Sequence, residues 1–190
     1  MKAAAAAVAL MLSLGASGVR APEVEQVYDR PLGVSFGGAG VVRPWPVLGI
    51  GLGVSGVTRR GEALSSATLE PTGDEARLVL VTTVLRVEGR VEVAEHQPVV
   101  PYLAGGPLIT WYTETVAGEA IHGAKPGAWI GGGVAILITP ETTWSVLPGP
   151  GLHGIYLRAE GVHRWARWCS GTGLDLGGWQ LDGGVTIVVR

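Results

Sequence analysis

The chain has 190 residues, enough for one domain with a substantial core or a small closed barrel. Hydrophobic residues make up 47% and charged residues only 16%, which excludes a disordered chain, and a net charge of -2 supplies no basic stripe for nucleic acid. The 31 glycines follow no Gly-X-Y period, which excludes collagen; they sit inside apolar alternating segments, a habit of sheets in which neighbours approach closely.

In chain order, Lys2 precedes the apolar run Ala3 to Leu14, and small residues then lead to Val19-Arg20-Ala21. This reads as a cleaved secretory signal over residues 1–21, because the run is short, rich in alanine and followed by no second hydrophobic helix. The mature domain is then expected over residues 22–190. Glu23 to Asp29 carries only a weak pattern. Leu32 to Val42 is the first convincing strand, broken by Pro44-Trp45-Pro46. Val47 to Thr58 alternates Leu48, Ile50, Leu52 and Val54 with Gly49, Gly51, Gly53 and Ser55. Arg59 to Glu75 reads as a polar loop.

Arg77 to Glu92 is the most informative segment. One face holds Val79, Val81, Leu85, Val87 and Val91, while the other turns from Leu78 and Leu80 to Arg86, Glu88, Arg90 and Glu92. An apolar face of that length asks for a solvent that is itself apolar. After a short turn at Ala94 to Pro98 comes a strand from Val99 to Glu114, then a polar loop from Thr115 to Lys125. Pro126 to Thr139 is the next strand, followed by a turn at Pro140 to Thr143 and a connection up to Leu152. His153 to Trp165 repeats the pattern, with Tyr156, Arg158 and Glu160 on the face opposite Ile155 and Leu157. The last strand runs from Asp175 to Val189, after a glycine-rich loop around Cys169, which reads as an unpaired loop thiol.

Seven strands with short turns at one end and longer loops at the other fit a membrane barrel, in which the strand number is even. The eighth strand is expected at Glu23 to Asp29. With the apolar faces outward, Arg86, Glu88, Arg90, Arg158, Glu160 and Asp182 point into an interior only wide enough for side chains, so they are expected to pair as a structural ion network. Tyr102, Tyr112 and Tyr156 share those inner faces. Trp111, Trp129, Trp165 and Trp179 lie near strand ends, where interfacial aromatic girdles belong.

Chemistry of other kinds finds little support. His96, His122, His153 and His163 occur singly without ligand spacing, so no metal is expected. No serine accompanies His153 or His163 as a membrane-embedded lipid hydrolase would need. The glycine runs Gly51 to Gly53 and Gly131 to Gly133 lie inside strands and lack the helix and Lys of a phosphate loop, so no nucleotide or other cofactor is expected.

Three stretches resemble the small outer-membrane β-barrel proteins of Gram-negative bacteria. Pro101-Tyr102-Leu103-Ala104-Gly105-Gly106 is similar to that family's PYxGxG strand, with Ala104 in place of the first glycine. Pro126 to Val134 resembles its glycine-rich return strand, and Leu157 to Glu160 with Gly177 to Leu181 resembles its last hairpin. The resemblance spans nearly the whole mature chain and implies an outer-membrane barrel without a defined active site, placed there by the barrel-assembly machinery. The ending Val188-Val189-Arg190 departs from the aromatic terminus that family members commonly present.

The expected fold is therefore all-β: an eight-stranded antiparallel up-and-down transmembrane barrel preceded by a signal peptide, located in the outer membrane. Its expected role is non-enzymatic, structural or through loops that hold an extracellular ligand, with outer-membrane lipid as its immediate partner. A soluble secreted or periplasmic barrel around a small apolar ligand is the competing arrangement, and it inverts every register so that the apolar faces point inward.

Overall fold

Period-two alternation builds eight strands: β1 (Ala7–Val19), β2 (Leu32–Trp45), β3 (Leu48–Leu64), β4 (Pro71–Arg90), β5 (Val99–Val116), β6 (Glu119–Leu137), β7 (Leu152–Trp165) and β8 (Gly178–Val189). The computed structural model describes residues 7–19, 28, 32–64, 70–94, 97–139, 152–166 and 176–189. Each strand pairs antiparallel with the next, and β8 pairs with β1, so the sheet closes on itself. Closure satisfies the strand backbone within the sheet and leaves no unpaired edge strand, which an apolar solvent demands.

The faces sort as the outward-apolar reading expects. Leu12 is 70% exposed, Leu52 64% and Leu181 67%, and Val81, Leu85, Val87, Leu103, Ile130 and Leu157 are exposed on other strands. Arg86, Glu88, Arg90 and Glu160 are buried on the opposite face. The registers are thus the reverse of those required by a soluble barrel around an apolar ligand.

The eighth strand comes from an unexpected place. Ala7–Val19, the run with the look of a signal's hydrophobic stretch, is β1, and it fills the seam between β2 and β8 with twelve Cα-paired positions on either side. Val8, Leu10, Leu12 and Leu14 face out, while Ala7, Ala9, Met11 and Ser17 are buried on the other face. The Ser17 carbonyl accepts a hydrogen bond of 2.7 Å from Arg59. Glu23 to Asp29, where the strand was expected, lies outside the described residues apart from Tyr28.

Two segments expected to be loops are mostly strand. β3 continues to Leu64 and β4 begins at Pro71, so most of the polar stretch from Arg59 to Glu75 is a paired ladder in which Arg60 stands opposite Arg77 and Glu62 opposite Glu75. Likewise Thr115 to Lys125 is the top of the β5–β6 hairpin, closed at Ala117 and Gly118. Their positive φ angles of 51° and 87° belong to a primed two-residue turn, whose twist suits a hairpin. Polar composition does not mean loop here: both faces of a hairpin that has left the apolar zone are wet, so the alternation of hydrophobicity ends while the strand does not.

Between Val84/Leu108 and Val87/Gly105 the β4–β5 ladder is interrupted. Pro107 has no N–H to give, and the Leu85 carbonyl instead accepts the indole N–H of Trp129 at 3.1 Å. A Cβ on Gly106 would collide with that carbonyl.

The role of β1 has a direct test. A chain lacking residues 1–19, refolded into detergent, is expected to give no compact heat-modifiable band, because β2 and β8 would each expose an unpaired edge. The full chain carrying Leu12→Phe, a change on the outward face of the same strand, is expected to give the band at wild-type yield. Recovery of the compact band by the truncated chain would show that β1 is dispensable.

Candidate functional site

The lumen is built from the inward positions of the strands. On β4 these are Arg86, Glu88 and Arg90, and Glu92 just past its end continues the series of alternating sign at period two; β7 adds Arg158 and Glu160, and β2 adds Arg43. Arg86 lies at the centre. Its Nε donates to Glu88 at 2.9 Å, while Nη1 and Nη2 each donate to Glu160 Oε1 at 3.0 Å. Arg158 holds the other Glu160 oxygen at 2.6 Å and lies 3.7 Å from Glu88. Arg43 donates to Glu88 at 3.3 Å, and Arg90 reaches Glu92 at 3.6 Å.

The guanidinium planes also rest on aromatic rings. Arg158 stands 4.2 Å from the Tyr102 ring centroid, Arg86 5.2 Å from Trp129, and Arg90 5.6 Å from Tyr156. Such stacking gives each cation a face-on partner as well as its in-plane hydrogen bonds.

Glycine and alanine on neighbouring strands make the room. Arg86 is paired across β3 with Gly51, Glu88 with Gly49, Glu160 across β6 with Gly133, and Arg158 with Ala135 on one side and Gly184 on the other. At Gly133 a Cβ would run into the Ala159 carbonyl and the Tyr102 hydroxyl, which itself donates to that carbonyl at 3.3 Å. Many of the chain's glycines are thus sockets for long charged side chains.

Apolar layers lie on both sides of this charged layer. Ala7, Ala9, Met11, Val41, Val100, Tyr156 and Val188 pack toward the chain termini. Val57, Leu78, Leu80, Leu108, Val162 and Leu176 pack toward the β3–β4 and β5–β6 hairpin tips. Tyr28, from the β1–β2 connection, is only 1% exposed within that second layer and donates to Glu114 at 2.8 Å. Burial first, and then the Glu114 carboxylate beside it, push its hydroxyl well above the usual phenol range.

Asp182 stands apart from the ion network in which it was expected. Among the described residues it has no ion pair; its oxygens accept from Ser35 at 3.1 Å and from Gln180 at 2.5 Å. It borders a cavity of about 80 Å³ with Ser13, Ser55, Arg164 and Gln180. Arg164 Nε and Gln180 Oε1 are buried there without a protein partner, a lining that suits a few ordered waters. Arg43 and Arg164 were missed in the sequence. Arg43 adjoins the Pro-Trp-Pro break and reads as turn, and Arg164 lies between His163 and Trp165 at a strand end.

Three of the four tryptophans expected at the interface, Trp111, Trp165 and Trp179, point outward and are 50% to 59% exposed, as is Trp45 at the opposite end. Trp129 does not. Its position on β6 has inward parity, and it is 5% exposed inside the lumen. Outside the barrel, His163 packs between Trp165 and Trp179, with ring centroids 4.4 Å from each. No group of three His, Cys, Asp or Glu side chains among the described residues could hold a metal.

No protein-family model matches the sequence, and a search of curated proteins finds no match. Solved structures share the fold. The outer membrane protein OprG of Pseudomonas aeruginosa is 9% identical with a TM-score of 0.64, covering 96% of this chain and 94% of its own. The N-terminal β-barrel domain of OprF from the same organism is 14% identical, with a TM-score of 0.56 and 96% of each chain covered. Ail, the attachment invasion locus protein of Yersinia pestis, solved in complex with the heparin analogue sucrose octasulfate, is 10% identical, with a TM-score of 0.52 and coverage of 96% and 97%. The shared architecture is the small eight-stranded barrel of outer-membrane proteins.

The charged layer makes an energetic prediction. Glu160→Gln leaves two buried guanidinium groups short of their counter-ion and is expected to destabilise the barrel by about 3 kcal/mol in urea titrations from detergent or lipid. The double variant Arg86→Met/Glu160→Met, which removes both charges together, is expected to recover most of that loss. A single variant as stable as wild type would show that the network contributes no register-fixing energy.

Proposed function

We propose that this protein is an integral outer-membrane β-barrel without catalytic activity, acting as a structural element of the cell envelope and through its hairpin-side surface. The observation that carries the reading is the pairing of a lipid-compatible outer wall with a lumen filled by ion pairs and two apolar layers. Among the described residues, an interior packed in this way leaves no wide channel and only the water-sized cavity beside Asp182. Function is then left to the surface outside the membrane, where β3, β4, β5 and β6, at 17 to 20 residues, rise beyond strands of 12 to 14 residues.

Partners follow from the same geometry. Outer-membrane lipid surrounds the wall, the barrel-assembly machinery inserts it, and an extracellular ligand would meet the raised hairpins. Exposed Glu62, Glu70, Asp74, Glu75 and Glu119 dominate those tips, so such a ligand would be neutral or cationic, in contrast to the sulfated analogue bound to Ail. The hydrolase alternative lacks support in the site: His163 is held between two indole rings, and no hydroxyl approaches it among the hydrogen bonds of the described residues. Residues 7–19 are retained in the working barrel, since their removal at Ala21 would take β1 with them.

Cell fractionation tests this reading. The protein is expected in the detergent-soluble outer-membrane fraction as a heat-modifiable band, with peptides from residues 7–19 present in its mass map. Recovery from periplasm without detergent would overturn the membrane assignment, and loss of those peptides from the membrane-inserted form would overturn the retention of β1. Lipid turnover by the pure protein, abolished by replacing His153 or His163, would overturn the non-catalytic assignment.

A further inference from the structure

On the outer wall, the apolar series of β4 is Val87, Leu85, Thr83, Val81 and Val79, and the next outward residue is Arg77. On β3 the series is Ile50, Leu52, Val54, Gly56 and Thr58, and the next is Arg60. Both strands therefore meet their first outward charge on the same rung, where Arg60 and Arg77 are direct cross-strand partners. Like charges placed directly opposite one another destabilise a sheet unless something of opposite sign lies between them. Within the chain, the exposed Glu62 and Glu75 stand two residues further up the same faces, and their hold on the pair is loose. Arg60 reaches Glu75 at 3.9 Å with both side chains about 70% exposed, and Arg77 has no hydrogen bond or ion pair among the described residues.

The height of the pair narrows the choice of anion. Two residues beyond the last apolar rung correspond to roughly 7 Å along a strand, and less along the membrane normal once the strand is tilted, which falls in the headgroup layer. The rung just below carries Thr113 and His122, joined at 3.0 Å and exposed, so the wall is already polar there. The opposite end differs. Its outward described residues, Trp45, Pro46, Val47, Val91, Val93, Pro98 and Val99, include no charge. Among the described residues, outward cations stand on the hairpin-side rim and not on the opposite one.

We propose that Arg60 and Arg77 form a docking point for the phosphate of an anionic lipid headgroup in the leaflet on the hairpin side. Two adjacent guanidinium groups can each give paired N–H donors to phosphate oxygens, and the acyl chains of the same lipid would lie along Val79, Val81 and Trp111 below. Phosphate would relieve the repulsion across the ladder and replace the long contact of Arg60 with Glu75. A free phosphate ion fits less well, because the pair sits on the wall above an apolar band and not in a cleft. The proposal rests on the membrane-spanning reading of the wall.

The test uses the full chain, extracted from mixed vesicles of phosphatidylcholine and phosphatidylglycerol and examined by native mass spectrometry. Wild type is expected to retain phosphatidylglycerol over phosphatidylcholine. That preference should fall about fivefold for each arginine removed in Arg60→Gln, Arg77→Gln and the double variant, the attraction of one surface cation for anionic lipid. Glu75→Gln, which frees Arg60, should increase it. These positions are exposed, so the compact band should persist in every variant; if the double variant does not fold, Arg77→Gln alone carries the comparison. Equal preference in wild type and Arg77→Gln would overturn the proposal, as would displacement of the bound lipid by inorganic phosphate. Failure of the membrane reading would look different, since the wild-type chain would then not enter vesicles at all.

Discussion

Eight strands enclose a space too narrow for bulk water and too wide to be left empty, and this constraint decides most of what the chain does inside. Side chains must fill the lumen, and the charges among them need counter-ions or hydrogen-bond partners there. Glu88 and Glu160 satisfy this through shared guanidinium groups: Arg86 touches both, with Arg43 and Arg158 closing the remaining sides. Long arms that cross the lumen from β4 and β7 can do so only because β3, β6 and β8 present Gly49, Gly51, Gly133 and Gly184 opposite them. Composition, register and ion pairing are therefore one arrangement. A slip of one residue in any of these strands would turn the charges into lipid and the leucines into the lumen.

The outer wall follows from the same alternation. With charges committed to the inside, the outward positions are free to be apolar, and they are so along the full height at which no water is available to solvate them. The wall loses its apolar character on both β3 and β4 at one rung, and the tryptophans cluster near the corresponding ends of β5, β7 and β8. Inside, the filling changes over a similar height from ion pairs to the apolar layer that holds Tyr28.

Much of this was legible in the sequence, and where it was not the reasons are physical. The period-two segments from Leu32 onward located strands because their two faces meet different media, and the same contrast placed Arg86, Glu88, Arg90, Arg158 and Glu160 inside. β1 was hidden because its inward residues, Ala7, Ala9 and Met11, are themselves apolar, so a strand and the hydrophobic run of a signal share one composition. The tops of β3 to β6 were hidden for the opposite reason, since both faces are wet there. Asp182 and Trp129 show a further limit. Parity tells which side a residue faces, but the choice between Ser35 and an arginine, or between a lipid rim and a freed carbonyl, depends on neighbours from strands distant in sequence.

The described strands are of unequal length, and the longer ones are neighbours. One half of the circumference, β3 to β6, stands up as a continuous four-stranded screen, fastened at its tips by pairing that runs to Leu64–Pro71 and Val116–Glu119, beyond the shorter described strands β1, β2, β7 and β8. A screen of that kind has a front and a back. Anything that meets the raised strands meets a stiff, hydrogen-bonded sheet with two unlike faces, so binding to it would be directional around the barrel axis, and neighbouring copies would present different profiles to one another according to how each is rotated.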